Sequence, residues 1–286
     1  MDGLGVASFS LGTDRAIDLG WRLGLKLNWC MQDEMGGASA INLLRQAWLA
    51  LEAGQARTIV LARRSFRRRG FSGPGQRLQP QRARVPESAG LRGAEPAVRH
   101  ADAAPDDADR PAARRLRRAV RGAAAMGYGN PNAAYRQPLS LRQYLCAPLV
   151  APPLGRLDCV PVVSGACALV LSARPAGVHV TLRASGARYN GDQQEGDGLV
   201  TGIAEFAPAM WAEAGIGPED MDVVGVYDDY PAMALAQLCD LGFTDAGDLP
   251  GFVARRLANR SLPVNTAGGQ LPARPARPAA CTAWRK

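Results

Sequence analysis

Apolar and polar positions alternate along the chain in units of a buried strand, a polar turn and a helix. The clearest unit is VVGVYDDYPAMALAQLCDLGF, residues 223–243. Its apolar run at 223–226 predicts a buried strand, and the helical spacing over 232–241 predicts a helix that ends at Gly242. Open α/β sheets present their chemistry at the carboxyl ends of strands, so the turn at 227–231 is a candidate functional site. A solvated turn without a function is the alternative interpretation.

The first 65 residues contain a similar arrangement. We expect a helix capped by Thr13, a loop at 28–34, a long helix over 35–53 and a buried strand at 58–62. The residues expected to face inward are Ala16, Leu19, Leu23 and Leu25 in the first helix, and Ile41, Leu44, Trp48 and Leu51 in the second. The two glycines before the second helix permit close approach of another element or a ligand, although helix packing alone would also explain them.

The later part of the chain continues the alternation. Ser140 is a candidate cap for a short helix at 141–145, and a glycine loop follows a short strand at 262–264. Residues 168–172 and 178–185 are predicted strands, and 201–214 is a predicted helix. Alternating strands and helices predict an α/β fold.

The positive charge is concentrated in two segments. The formal net charge is +8, yet residues 63–122 hold 16 Arg against 6 acidic residues, and the tail from Pro272 adds three Arg and one Lys. The rest of the chain is acidic on balance. An RNA-binding arm is one interpretation of the first segment, but Phe66 and Phe71 are its only aromatic residues. We therefore expect neither a nucleic acid nor a membrane as a partner.

Cysteine usage and hydropathy favour a cytoplasmic protein. The six cysteines are scattered without a CxxC pair, which predicts reduced thiols and no metal site. No apolar run reaches about 18 residues, and the start MDGLGVASFS lacks the pattern of a secretory signal.

Five blocks of sequence resemble the thiolase superfamily, in particular thiolase-like proteins of the sterol-carrier and lipid-transfer type. They begin MGGASAINLL, NPNAAYRQPL, AGIGPEDMDV, QLCDLGF and LPVNTAGGQL, and they cover about residues 1–65 and 129–271. The resemblance implies two similar α/β halves in a five-layer αβαβα sandwich, here incomplete at both ends. It also implies an acyl-CoA thioester as substrate, no bound cofactor, and a homodimer with a small accessory subunit as a further partner.

The same resemblance divides the chain into five parts. Residues 1–65 match part of the N-terminal half, 128–157 its end and the crossover, and 158–271 part of the C-terminal half. Residues 66–127 form the basic insert, and 272–286 form an aberrant tail. The chain has two Lys against 32 Arg, the usage of a GC-rich gene, in which a wrong reading frame yields Arg, Pro, Ala and Gly. We hypothesise that both basic segments are translated out of frame; a genuine insertion and tail is the alternative.

Transferring the family's site residues leaves Gly37 where thiolases have their nucleophilic cysteine. A glycine cannot form an acyl-enzyme, so thiolysis through that intermediate is excluded. The loop written Asn-Glu-Ala-Phe or His-Asp-Cys-Phe in the family falls on Tyr227-Asp228-Asp229-Tyr230 here, and Pro275 stands near the place of a family histidine. The resemblance therefore implies Tyr227 and Asp228 as catalytic residues. It implies a substrate-binding set of Gly37, Ser39, Asn265, Gly268 and Gly269.

Two functions follow from this assignment. One is an acyl-CoA enzyme, either an acyltransferase or a retro-aldolase-like lyase that uses Tyr227 as thiolase-like retro-aldolases use tyrosines. The other is a non-catalytic acyl-CoA-binding or partner subunit, since the family's nucleophile is missing. A tyrosine that merely ends a strand would be compatible with the second.

Overall fold

A computed structural model describes residues 1–7, 15–65, 140, 143–144, 146–151, 154–161, 165–174, 177–189, 201–266 and 268–270. The predictions for Thr13, residues 66–127, Pro275 and residues 272–286 lie outside this part of the chain. Among the described residues, no helix has the length and apolar character needed to cross a membrane.

A four-stranded sheet organises the N-terminal part of the molecule. The strands in the described residues are β1 Gly3–Ala7, β2 Trp29–Asp33, β3 Thr58–Ser65, β4 Leu149–Ala151, β5 Leu154–Gly155 and β6 Gly165–Ser172. The sheet has the order β2-β1-β3-β6, and β4 pairs with β5 separately. β1 is parallel to both β2 and β3, whereas β6 runs antiparallel to β3 with Leu61 opposite Leu169.

Two of these strands correct the sequence-based assignment. β1 was not predicted, and β2 lies where a loop was expected at 28–34. β1 carries Gly3 and Gly5 in five residues, which weakens its strand signal, and side chains of β3 lie close to both glycines. A Cβ on Gly5 would come 2.6 Å from Cδ2 of Leu61 on the neighbouring strand. β2 is an edge strand with a mixed apolar and polar sequence, which resembles a loop.

The described residues also form the α-helices α1 Arg15–Arg22, α2 Ser39–Glu52, α3 Ile203–Ala214, α4 Pro231–Asp240 and α5 Leu249–Phe252, besides several short 3-10 turns and a π-helical turn at Val253–Leu257. A turn of 3-10 helix at Gly36–Ala38 leads into α2. The long helix was predicted, but the set of residues predicted to face inward was partly wrong. Leu43, Ala47 and Ala50 are buried against β3, whereas Ile41 is 43% exposed. Two alanines at the contact let the helix lie close to the sheet.

A second core surrounds the segment 223–226. Val224, Val226, Leu235, Leu238 and Leu262 are buried together, with Phe252 and Val253 beside them. Strands were predicted at 223–226 and 262–264, but the structure has only an isolated parallel bridge between Val224 and Val264 there. This core fixes the residues on which the polar turn is mounted.

Other predictions divide along the chain. The helix at 201–214 is confirmed as α3, which ends at Gly215 with φ +68°. Ser140 accepts a hydrogen bond from the backbone N–H of Gln143 at 3.2 Å, as its predicted capping role requires. The prediction of a strand at 178–185 was wrong. The structure describes these residues and shows no strand there, and Val180 is 59% exposed. Their alternating pattern finds no pairing strand among the described residues.

Candidate active site

Hydrogen bonds hold three consecutive residues at the start of the polar turn. The Asn265 side chain accepts the N–H of Val226 at 2.9 Å and donates to its carbonyl at 3.1 Å. The Gln237 side chain likewise accepts the backbone N–H of Tyr227 at 3.0 Å and donates to its carbonyl at 2.7 Å. The Asp228 carboxylate accepts the backbone N–H of Gln270 at 2.8 Å. The backbone of Val226 and Tyr227 and the side chain of Asp228 are therefore held by hydrogen bonds, which orients the start of the turn.

The glycine loop that follows residue 264 provides this support. Asn265 itself has φ +50°, and Gly268 and Gly269 have φ +102° and +65°. A Cβ on Gly269 would lie 2.6 Å from Cγ of Asp228, so only glycine allows the loop to approach that carboxylate. Asp228 and Asn265 are each 1% exposed. The structure thus brings together four of the predicted site residues as one buried, hydrogen-bonded unit.

The phenol ring of Tyr227 fills the space beside Gly37. A Cβ built on Gly37 would lie 2.5 Å from the Tyr227 hydroxyl oxygen and nearer still to two ring carbons. A real Cβ does not approach another atom so closely, so the two positions exclude a side chain at 37 while the ring is present. The ring edge and the hydroxyl of Tyr227 together therefore occupy the place where a cysteine side chain at position 37 would begin.

The phenol is held in its neutral form. Burial, reinforced by the negative charges of Asp229 and Asp228, raises the pKa of Tyr227 to about 12, against the opposing charge of Arg63. Burial also raises the pKa of Asp229, while a hydrogen bond from the Tyr227 hydroxyl and the charge of Arg63 oppose the shift. At neutral pH the Tyr227 hydroxyl is accordingly a hydrogen-bond donor.

Ser39, the first residue of α2, adds a buried hydroxyl two residues after Gly37. The residue is fully buried, and its Oγ has no hydrogen-bond partner among the residues that the structure describes. A buried polar atom without a partner is unfavourable by about 1–3 kcal/mol, which makes this hydroxyl a candidate ligand contact.

Four residues of the site were not predicted from the sequence. Asp229 is two positions after Tyr227, and the period-two alternation of extended backbone could have indicated that both point to one side. Gln237 and Gln270 reach Tyr227 and Asp228 from separate elements, and Arg63 comes from β3. Their contributions depend on tertiary contacts that no local pattern reveals. Cys30, Cys146 and Cys239 are free thiols. No metal-binding cluster occurs among the residues that the structure describes.

Comparison with known proteins identifies consistent relatives. A model of the family "Thiolase C-terminal domain-like" matches residues 184–278. A 17-hydroxy-3-oxo-4-pregnene-20-carboxyl-CoA lyase from Mycobacterium tuberculosis is 27% identical, over 93% of this chain and 75% of the relative.

Solved structures show the same fold. The Ltp2-ChsH2(DUF35) aldolase has a TM-score of 0.69 at 24% identity, covering 94% of this chain and 74% of that one. A monomeric SCP2-thiolase-like protein from Mycobacterium smegmatis has a TM-score of 0.63 at 17% identity, covering 94% of this chain and 56% of the other. The predicted thiolase resemblance and the α/β thiolase-like fold are confirmed: residues 184–278 match the thiolase C-terminal family, and the solved structures share the fold of this chain.

Proposed function

We propose that this thiolase-like chain cleaves a carbon–carbon bond next to an acyl-CoA thioester by retro-aldol chemistry, with the Tyr227 phenol as its acid–base group. The observation that supports this most strongly is the position of the phenol, which fills the space of a side chain at Gly37. Where a thiolase would offer a nucleophile, this site offers a proton donor and acceptor.

Retro-aldol cleavage needs no covalent attachment to the protein. The β-hydroxyl group of the acyl chain loses its proton, the bond between the α and β carbons breaks, and the electron pair passes to the α carbon. The products are a carbonyl compound and the enolate of a shorter acyl thioester, which is then protonated. Such a reaction requires a base for the hydroxyl and hydrogen-bond donors for the enolate oxygen. A missing nucleophile at position 37 does not impair it.

The names of relatives support this choice of reaction. The Mycobacterium tuberculosis relative is called a lyase, and its named substrate carries both a hydroxyl and a carboxyl-CoA group. The structural neighbour is called an aldolase. We extend the substrate class, a hydroxyacyl-CoA thioester, to this chain. The coenzyme A moiety belongs to the substrate, so the proposal requires no separate cofactor.

The remaining predicted site residues receive roles by their placement. Asp228, Asn265, Gly268 and Gly269 act as positioning residues, since their bonds hold the turn that carries Tyr227. We assign the backbone around Gly37 and the unpartnered hydroxyl of Ser39 to the thioester, where a developing oxyanion needs donors.

We further propose that the chain works with a second polypeptide. The aldolase that it resembles in structure is named for two components, Ltp2 and ChsH2. An accessory subunit of this kind, together with a homodimer of the thiolase-like chain, is the assembly that we propose for a cytoplasmic enzyme.

Two substrates test the function. The purified chain is incubated with 17-hydroxy-3-oxo-4-pregnene-20-carboxyl-CoA alone, and separately with acetoacetyl-CoA plus free CoA. We expect the hydroxylated thioester to be cleaved without added CoA and acetoacetyl-CoA to remain intact. CoA-dependent cleavage with acyl-labelled protein would contradict the proposal. Binding of the hydroxylated thioester without cleavage would favour the alternative, an acyl-CoA-binding subunit.

A further inference from the structure

A buried carboxylate ties the loop that carries Gly37 to the end of β2. Asp33 is the last residue of β2 and is 5% exposed. Its Oδ1 accepts the backbone N–H of Met35 at 2.8 Å, and its Oδ2 accepts a hydrogen bond from the side-chain amide of Asn42. The first bond turns the chain out of the strand, and the second joins the end of the strand to the first turn of α2. Gly37 lies inside the loop that the second bond closes.

The start of α2 is not capped by its own residues. Met35 and Ala38, which precede the 3-10 turn and the helix, form no capping bond through their side chains. The turn itself is Gly36-Gly37-Ala38, in which the largest side chain is a methyl group. Among the residues that the structure describes, Asp33 is therefore the side chain that anchors this segment to the sheet.

Asn42 extends the hydrogen bonds to a distant part of the chain. Its side-chain oxygen accepts a hydrogen bond from the hydroxyl of Tyr189, which lies 147 positions further along. A carboxylate can only accept, so Asp33 directs the amide nitrogen of Asn42 toward itself and leaves the oxygen for Tyr189. The three side chains thus form one chain of hydrogen bonds that connects β2, α2 and the segment at 177–189.

The loop must be placed accurately because Gly37 lies directly against the phenol. A Cβ on Gly37 would lie 2.5 Å from the hydroxyl oxygen of Tyr227, so the backbone and the ring are in contact. A displacement of the loop by about 1 Å would separate the two groups or force the ring to move. Errors of that size in the placement of reacting groups can slow an enzyme about 100-fold.

We propose that Asp33, Asn42 and Tyr189 are positioning residues that set the distance between the Gly37 backbone and the Tyr227 phenol. The consequence for cleavage rests on the proposed retro-aldol function, which assigns the backbone around Gly37 to the thioester and the phenol to proton transfer. The three side chains act through the loop and not on the reacting atoms. Their loss should therefore slow the chemical step more than it weakens binding of the thioester.

Exchanging Asp33 and Asn42 separates the hydrogen-bonded pair from its individual side chains. Asn42→Asp alone places two carboxylates face to face, so the bond between them is lost. Adding Asp33→Asn restores an amide opposite a carboxylate, keeps acceptors for Met35 and Tyr189, and returns the net charge to that of the wild-type protein. The matched control is Asn28→Asp, because Asn28 donates to Asp2 at 3.4 Å in an exposed pair before the other end of β2.

The first readout needs no substrate. NMR of protein containing tyrosine labelled at Cζ gives one resonance for each of the six tyrosines, and the one missing from Tyr227→Phe belongs to Tyr227. We expect Asn42→Asp to shift this resonance, the exchanged double variant to return it toward the wild-type position, and Asn28→Asp to leave it in place. Tyr189→Phe, which removes only a hydroxyl from a residue that is 53% exposed, should shift it by a smaller amount.

Two results overturn the proposal. One is a Tyr227 resonance that stays in place in Tyr189→Phe and in every folded variant of Asn42. The other is a double variant whose Tyr227 resonance is no closer to the wild-type position than that of Asn42→Asp. If Asn42→Asp does not fold, Tyr189→Phe and the double variant still decide the first of these outcomes.

The second readout is cleavage of the hydroxylated CoA thioester. Asn42→Asp should lower kcat about 10- to 100-fold while KM changes less than about threefold, and the double variant should recover most of the loss. A wild-type protein that cleaves the thioester, with an equal kcat in Asn42→Asp, overturns the positioning role alone. A wild-type protein that cleaves no hydroxyacyl-CoA overturns the proposed function, and the NMR comparison then decides the positioning role by itself.

Discussion

At the centre of the site, the side chain of one residue fills the space that a side chain on a distant residue would need. Gly37 supplies the space, and the ring of Tyr227 fills it. The φ of Gly37 is outside the left-handed region, unlike that of Gly36 at +68°, so it is space and not backbone conformation that requires a glycine here.

Replacing Gly37 with alanine tests this shared volume. The added methyl group would collide with the Tyr227 ring, so we expect about 1–3 kcal/mol of lost stability, measured by urea unfolding, and a loss of cleavage activity. The matched control is Gly247→Ala, since a Cβ there meets no described atom within 4 Å. If both variants behave alike, the ring does not occupy the space beside Gly37.

At this scale the sequence suggested Gly37 and Tyr227 as site positions but not that they would be adjacent, nor which residues would surround them. Gly37 and Tyr227 were found because the family resemblance aligns them with known site positions. Asp229 was passed over in favour of Asp228, although the two differ greatly in their contacts. Their difference depends on which carboxylate meets the Gln270 backbone, and that contact joins residues 42 positions apart.

At the scale of elements, the turn that carries Tyr227 depends on three separate segments that meet. The turn follows 223–226, the glycine loop follows 262–264, and α4 contributes Gln237. Asn265 links the first two, because its side chain forms the two hydrogen bonds with Val226 that a neighbouring strand would form.

Asn265→Ala should therefore loosen the whole turn. The buried N–H and carbonyl of Val226 would each lose a partner, and we expect about 2–4 kcal/mol of destabilisation in urea unfolding. The control is Asn28→Ala, whose exposed side chain makes one long bond of 3.4 Å to Asp2 and should change stability by less than about 0.5 kcal/mol. An unchanged unfolding midpoint in Asn265→Ala would show that its bonds do not support the loop.

Element prediction succeeded where packing agreed with local pattern. Helices α2, α3 and α4 and the strand β3 have strong periodicity and lie where the sequence placed them. β1 was not predicted because its two glycines, which lie against neighbouring side chains, weaken the strand pattern. β2 was not predicted because an edge strand needs few apolar residues. The opposite error occurred at 178–185, where a strand was predicted and none formed, since an alternating pattern does not make a strand without a neighbouring strand to pair with.

At the scale of the whole molecule, two cores support one site. The sheet with α2 positions Gly37 and Ser39, and the core around Val224 and Leu238 positions Tyr227. The excess positive charge is concentrated in residues 63–122 and in the tail, and Arg63 and Arg64 of this set belong to β3. The thiolase-like fold followed from the sequence blocks outside the basic segments.

The hypothesis of a shifted reading frame makes a prediction about the gene. If residues 66–127 and 272–286 are out of frame, resequencing the coding DNA and translating it in all three frames should reveal aliphatic, thiolase-like sequence in another frame. We expect a Gly-His-Pro loop, or its equivalent, after residue 271. Coding DNA that offers no such sequence would establish both segments as genuine parts of the chain.

The central claim is that the Tyr227 hydroxyl performs the chemistry, and the variant Tyr227→Phe tests it most directly. The substitution keeps the ring that fills the space beside Gly37 and removes only the oxygen, so the fold and the binding of the CoA thioester should be retained. The measurement is single-turnover cleavage of the hydroxylated CoA thioester, with binding of the same thioester measured in parallel. We predict that Tyr227→Phe binds the thioester as the wild-type protein does and cleaves it at least about 100-fold more slowly. Equal cleavage rates in the two proteins would contradict the account.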